Sequence, residues 1–143
     1  MAVRRQDALG YQIGLLSRLF DRTLEVYLRP FGVLPGQFPT LIMLYEQDGL
    51  TQADLCNRIN VEQPTMANTL HRMDKAGLIE RKQDNLDKRK VLIHLSLKSK
   101  GFREEIITQA RRVPTIMTES LSKEEQDMVF SLVGHMITKL QNI

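Results

Sequence analysis

A chain of 143 residues with 42% hydrophobic and 26% charged side chains suits one compact globular unit, burying at this size roughly two-thirds of its unfolded surface. Its mean hydropathy of -0.26 and the lack of any apolar run near the ~20 residues of a spanning helix exclude a membrane protein; Met1 to Asp7 carries no secretory leader pattern, so a cytoplasmic location is expected. The net charge of +3 is uneven: residues 81 to 103 hold eight basic and two acidic side chains, whereas the segments on either side are neutral or acidic, which points to a local polyanion site.

Leu9 to Leu28 repeats apolar residues at intervals of three and four (Ile13, Leu16, Leu19, Phe20, Leu24, Tyr27, Leu28), which predicts a helix ended by Pro30 and Gly32. Leu9, Tyr11 and Leu15 widen the stripe, so this helix needs more than one neighbour. A second helix is expected from about Pro35 through Phe38, Leu41 and Tyr45 to Asp48-Gly49. Thr51 with Asp54 three places on is a helix-start signature for a short third helix through Leu55 and Ile59, where Ala53 is small enough for close helix approach. A fourth begins near Gln63-Pro64-Thr65, points Met66, Leu70 and Met73 inward, and stops at Ala76-Gly77. The third and fourth form a helix-turn-helix, whose second helix can enter the major groove of DNA.

Past Gly77 the period becomes alternating. Ile79 to Lys82 and Lys90 to Leu95 read as two strands, with Val91, Ile93 and Leu95 on one face, joined by the turn-forming, charged stretch Gln83 to Arg89. Helix returns with Ser96 or Ser99 as cap and Phe102, Ile106, Ile107, Ala110 and Val113 as its apolar line, kinked at Pro114. A final helix opens on Ser122-Lys123-Glu124-Glu125, with Met128, Val129, Leu132, Val133, Met136, Ile137 and Leu140 as its stripe. The expected fold is mainly α with a small β-hairpin: a winged helix-turn-helix lobe plus a terminal-helix dimerisation region.

Three stretches carry a resemblance to a known family: Leu50-Thr51-Gln52-Ala53-Asp54-Leu55, then Gln63-Pro64-Thr65 with Leu70 to Arg81, and the wing Asp87-Lys88-Arg89 followed by Leu95-Ser96. In this order they resemble the MarR family of bacterial transcriptional regulators along the whole chain. The resemblance implies a homodimer joined by its first and last helices (1–30 and 99–143), a DNA-binding lobe at 34–98, and a pseudo-palindromic double-stranded operator. It also implies that Arg89 enters the minor groove while Asp87 holds it in place. The residues themselves put Gln63, Thr65, Asn68 and Thr69 on the front of the fourth helix, with Pro64 in its first turn, Arg72 one turn on for a phosphate, and Lys88 in the basic wing. Broad apolar faces on the first and last helices independently favour a dimer.

An enzyme is not expected, because no nucleophile elbow, glycine-rich phosphate loop or paired carboxylate in an apolar setting is present. Lone Cys56 cannot form an internal disulfide, and His71, His94 and His135 lack metal-ligand spacing, so no metal or cofactor is expected. Many members of the family release DNA on binding a small aromatic or phenolic acid, and others through a cysteine near the start of the first helix. With no cysteine in residues 1 to 50, a repressor released by a small-molecule effector is the better reading. A winged-helix module for protein contacts and a redox response at Cys56 remain as alternatives.

Overall fold

The computed structural model describes Ala2 and residues 4–143. It is mainly helical with one two-stranded antiparallel hairpin, and the chain divides after Ala110 into two compact units.

In the first unit, α1 (Asp7–Leu28) runs into a single 3-10 turn over Arg29–Phe31 and ends at Gly32, whose φ of +69° is the left-handed conformation that glycine adopts freely. A second 3-10 turn, Pro35–Gln37, leads into α2 (Phe38–Glu46). Then α3 (Gln52–Ile59) starts on the expected box: the Thr51 hydroxyl accepts from the Asp54 N–H at 3.1 Å, and the Asp54 carboxylate accepts from the Thr51 N–H at 3.0 Å. The Thr51 N–H first, and then the Thr51 hydroxyl beside the carboxylate, hold the Asp54 carboxyl below the usual carboxylate range. Asn60, in the left-handed region at φ +61°, closes α3 and turns the chain into α4 (Gln63–Lys75).

Met66, Leu70 and Met73 of α4 are buried, as are Leu41, Leu55 and Leu78, and α4 packs on α3 and β1, so the helix-turn-helix has a closed apolar core. Ala53 does not mediate the approach of α3 to α4: it is exposed, and Leu55 and Cys56 supply the inner side of α3 instead. Here the aliphatic stripe, and not the smallest residue, sets which face turns inward.

Strands β1 (Ile79–Gln83) and β2 (Val91–Leu95) pair from Ile79 with Leu95 to Gln83 with Val91. Ile79, Ile93 and Leu95 are buried at the base of the hairpin, but Val91 is 45% exposed, because the hairpin outruns the helices that cover its foot. Leu50 adds an isolated bridge on the other edge of β2, with the Ile93 N–H donating to its carbonyl at 2.7 Å. A one-residue strand leaves no alternation, so no sequence pattern marks it.

The long helix expected after the wing is cut into three pieces. Ser96 caps α5 (Leu97–Gly101), accepting from the Ser99 N–H at 3.2 Å, while Ser99 is buried, its hydroxyl donating to the Leu78 carbonyl at 2.7 Å and its own carbonyl accepting from the Tyr45 hydroxyl at 2.6 Å. Burial pushes the Tyr45 phenol up to about 12, against the opposing pull of Arg103. Helical geometry lapses at Phe102, whose ring packs edge-on against Phe31 with centroids 5.2 Å apart, and resumes in α6 (Arg103–Ala110). The next break falls at Arg111, ahead of Pro114. A proline has no N–H for the carbonyl four residues back and crowds it, so the helix stops at Ala110, and α7 (Arg112–Thr118) restarts with Pro114 in its first turn.

In the second unit, α7 leads to α8 (Lys123–Gln141), opened by the expected Ser122–Glu125 capping box. Gln126 donates to the Thr118 and Leu121 carbonyls and fixes the turn between the two helices. No residue of α8 is buried within one chain, and its stripe from Met128 to Leu140 is exposed along its length. Among the described residues no helix is long and apolar enough to cross a membrane.

Candidate nucleic-acid interface

The inward stripe of α4 decides what its outer face offers. At about 100° per residue, Asn68 and Pro64 point away from Met66, Leu70 and Met73, with Arg72 and Thr65 beside them. Gln63 and Thr69 fall instead on the flanks of the buried stripe, each about 60° from Met66; Gln63, the first residue of the helix, is exposed, Thr69 is half-buried, and the other four are exposed. The same arithmetic adds His71 and Lys75, both exposed on the outer face. Amide and hydroxyl chemistry does not single them out in the sequence, but counting from the buried stripe does. Gln63 is also tied down, since the Gln52 side chain of α3 donates to its Oε1 at 3.0 Å.

The wing is shaped by local hydrogen bonds and has no core of its own. The Asp84 carboxylate accepts from the Leu86 N–H at 3.1 Å, and the Asp87 carboxylate from the Arg89 N–H at 3.1 Å, two Asx turns in succession. Asp87 also accepts from the Arg89 guanidinium, at 3.1 Å from Nε and 3.4 Å from the terminal nitrogen. One carboxylate thus fixes both the backbone and the side-chain direction of Arg89, whose side chain is 91% exposed. Those bonds, the guanidinium's first, hold the Asp87 carboxyl below its usual range.

The basic surplus between residues 81 and 103 separates into two populations. Arg81 pairs with Asp74 at 3.5 Å, Lys82 with Glu80 at 3.7 Å and Lys100 with Asp48 at 3.9 Å, while Lys98 donates to the Ala76 carbonyl at 3.1 Å and Arg103 lies over the Tyr45 ring. These five are engaged within the lobe. Lys88, Arg89 and Lys90, together at the wing tip, are exposed and aimed at solvent.

Comparison with known proteins gives this arrangement its family. Residues 34–91, which include α4 and most of the hairpin, match the MarR family model. The helix-turn-helix-type transcriptional regulator YwoH of Bacillus subtilis is 33% identical over 98 residues, covering 68% of this chain and 71% of its own length. The chain belongs to the MarR family. YsmB of the same organism, also a helix-turn-helix-type transcriptional regulator, is 33% identical over 68% of this chain and 67% of its own. Among solved structures, a MarR protein from Peptoclostridium difficile superposes with a TM-score of 0.89 at 26% identity, covering 99% of this chain and 94% of that one. A mutant MarR from E. coli complexed with operator DNA superposes at 0.82 with 24% identity, over 90% of this chain and 92% of that one, and so shows the shared fold. This MarR-family transcriptional regulator is accordingly a DNA-binding protein of the winged helix-turn-helix type.

Cys56, the one thiol, is free and buried on the inner side of α3.

Proposed function

We propose that this regulator is a homodimeric repressor that reads a pseudo-palindromic operator with the outer face of α4 in the major groove and the wing arginine in the minor groove. Gln63, Thr65, Asn68 and Thr69 contact base edges, Pro64 starts the helix close to the groove wall, and Arg72 and Lys88 take phosphates. Arg89, oriented by Asp87, enters the minor groove, where negative potential is focused. The carrying observation is the coupling of an exposed polar α4 face, backed by fully buried Met66, Leu70 and Met73, to a wing tip whose arginine is held by its own carboxylate.

Residues 34–98 form the DNA-binding lobe in this reading, and 1–30 with 99–143 the dimerisation helices. The exposed stripes of α1 and α8 are the surfaces for a second copy, because an apolar surface of this extent is rare on a monomer. The protein acts in the cytoplasm, catalyses no reaction, and leaves its operator when a small aromatic or phenolic ligand binds.

The test is binding to random and to selected duplex DNA at about 50 and 200 mM salt. If the dimer contacts ~6 to 10 phosphates, affinity falls by about 10³ to 10⁵ between those concentrations. Binding that ignores salt, or no preference for any duplex in a randomised pool, rejects the reading in favour of a protein-contact module.

A further inference from the structure

One side-chain contact joins the start of α3 to the first turn of α4. Gln52 Nε2 donates to Gln63 Oε1 at 3.0 Å and, at a longer 3.5 Å, faces the Gln63 backbone carbonyl. A primary amide keeps its shape when its two ends are exchanged, so its orientation follows from its partners. A backbone carbonyl only accepts, which makes the end of Gln52 turned towards Gln63 the NH2. Gln63 must then meet it with oxygen, and its own NH2 has no partner among the described residues.

We propose that Gln52 is a positioning residue that locks the Gln63 amide, so that Gln63 offers DNA a donor and selects an acceptor on the base edge. This rests on the reading that α4 enters the major groove. There guanine offers N7 and O6, thymine offers O4, and cytosine offers only the N4 donor. An unrestrained glutamine suits adenine best, giving a donor to N7 while accepting from N6. With its oxygen turned towards Gln52 and already accepting from it, Gln63 presents its NH2 outward and keeps only one lone pair for adenine N6, so guanine or thymine is favoured and cytosine, which offers no acceptor, is disfavoured.

Replacing Gln52 by a group that can only accept reverses the lock. In Gln52→Glu the carboxylate draws the Gln63 NH2 inward, turning its oxygen towards the base, where it accepts from cytosine N4 or adenine N6. The fold tolerates the change: Thr51 and Asp54 still cap α3, and an added carboxylate in the first helical turn is favourable there.

The experiment takes the full-length protein and the duplex of about 30 base pairs that it selects from a randomised pool. Every single base-pair substitution across one half-site is titrated against the parent, Gln63→Ala, Gln52→Ala, Gln52→Glu and the Gln52→Ala/Gln63→Ala double variant at one salt concentration, with thermal midpoints as the folding control. The pair at which Gln63→Ala loses discrimination is the one Gln63 reads. At that pair the parent is expected to favour guanine or thymine over cytosine by about tenfold, Gln52→Glu to invert the order, and Gln52→Ala combined with Gln63→Ala to match Gln63→Ala alone. An unchanged order in Gln52→Glu overturns the positioning role while leaving the Gln63 contact standing. If Gln63→Ala discriminates as the parent does at every pair, the inference and the Gln63 assignment fall together. A parent that selects no duplex removes the major-groove reading itself.

Discussion

Leu16 in α1 is 51% exposed and Leu70 in α4 is completely covered, although both belong to apolar stripes spaced by three and four in amphipathic helices of the same unit. The stripe of α4 is met by α3, by β1 and by the 3-10 turn at Pro35–Gln37. That of α1 is met only near its end, where Leu24 and Leu28 are buried, and its earlier residues from Leu9 to Leu19 stay largely uncovered. Periodicity thus tells which face of a helix is apolar, and the rest of the chain decides whether anything inside the molecule covers it. Where nothing does, the surface is available to a second copy.

The largest effect that would sharpen this contrast is Leu70→Ala. It empties a fully enclosed site, so unfolding free energy should fall by about 2 to 5 kcal/mol, read from urea unfolding at fixed protein concentration. A loss below ~1 kcal/mol would mean that the core around α4 collapses to fill the gap, and the two stripes would differ less than their exposure implies. Leu16→Glu should spare the fold of the lobe yet weaken the dimer by roughly thirtyfold or more, moving sedimentation at low micromolar concentration towards the 16.5 kDa chain. A variant as dimeric as its parent would place the partner surface elsewhere.

Legibility in the sequence follows the same division. The boundaries of α3, α4 and α8 could be read from Thr51–Asp54, Pro64 and Ser122–Glu125, since each signal is chemistry between neighbours in the chain. The breaks at Phe102 and Arg111 could not be placed in the same way. The first accompanies packing on Phe31, distant in sequence, and the second lies three residues before the proline responsible. The Leu50 bridge was invisible because a single paired residue has no period. Within the candidate interface, the inward face of α4 and the Asp87–Arg89 pair were legible, the one from spacing and the other from family resemblance. The Gln52–Gln63 contact was not, because it joins two helices across eleven residues and depends on how the turn at Asn60 brings them together.

The wing carries the comparison to a segment with no covered face, where hydrogen bonds two residues apart do what packing does for α4, and the effects expected there are smaller. Arg89→Ala should lower affinity for the selected duplex by about tenfold or more without altering the thermal midpoint, since the side chain is almost wholly exposed. Asp87→Ala gives a smaller change of more telling sign. Removing a carboxylate beside DNA should strengthen binding if the wing acts by charge alone, whereas loss of the group that accepts from both the backbone and the guanidinium of Arg89 should weaken it. The expected outcome is weaker binding to the selected duplex with equal or slightly tighter binding to random DNA. Asp87→Asn separates the two contributions, because its amide oxygen can still accept from the Arg89 N–H and keep the turn while the charge is lost; it should fall between parent and alanine. Acidity offers an independent check with a definite sign. The folded carboxyl titrates below its unfolded value of about 3.9, so the hold on Arg89 is complete above that value and fails only as pH falls through the lower folded one. The ratio of parent to Asp87→Ala affinity should therefore stay constant from about pH 7 to pH 5. A ratio that collapses within that window, or an Asp87→Ala variant that binds the selected duplex as tightly as the parent, would show that the carboxylate does not orient the arginine.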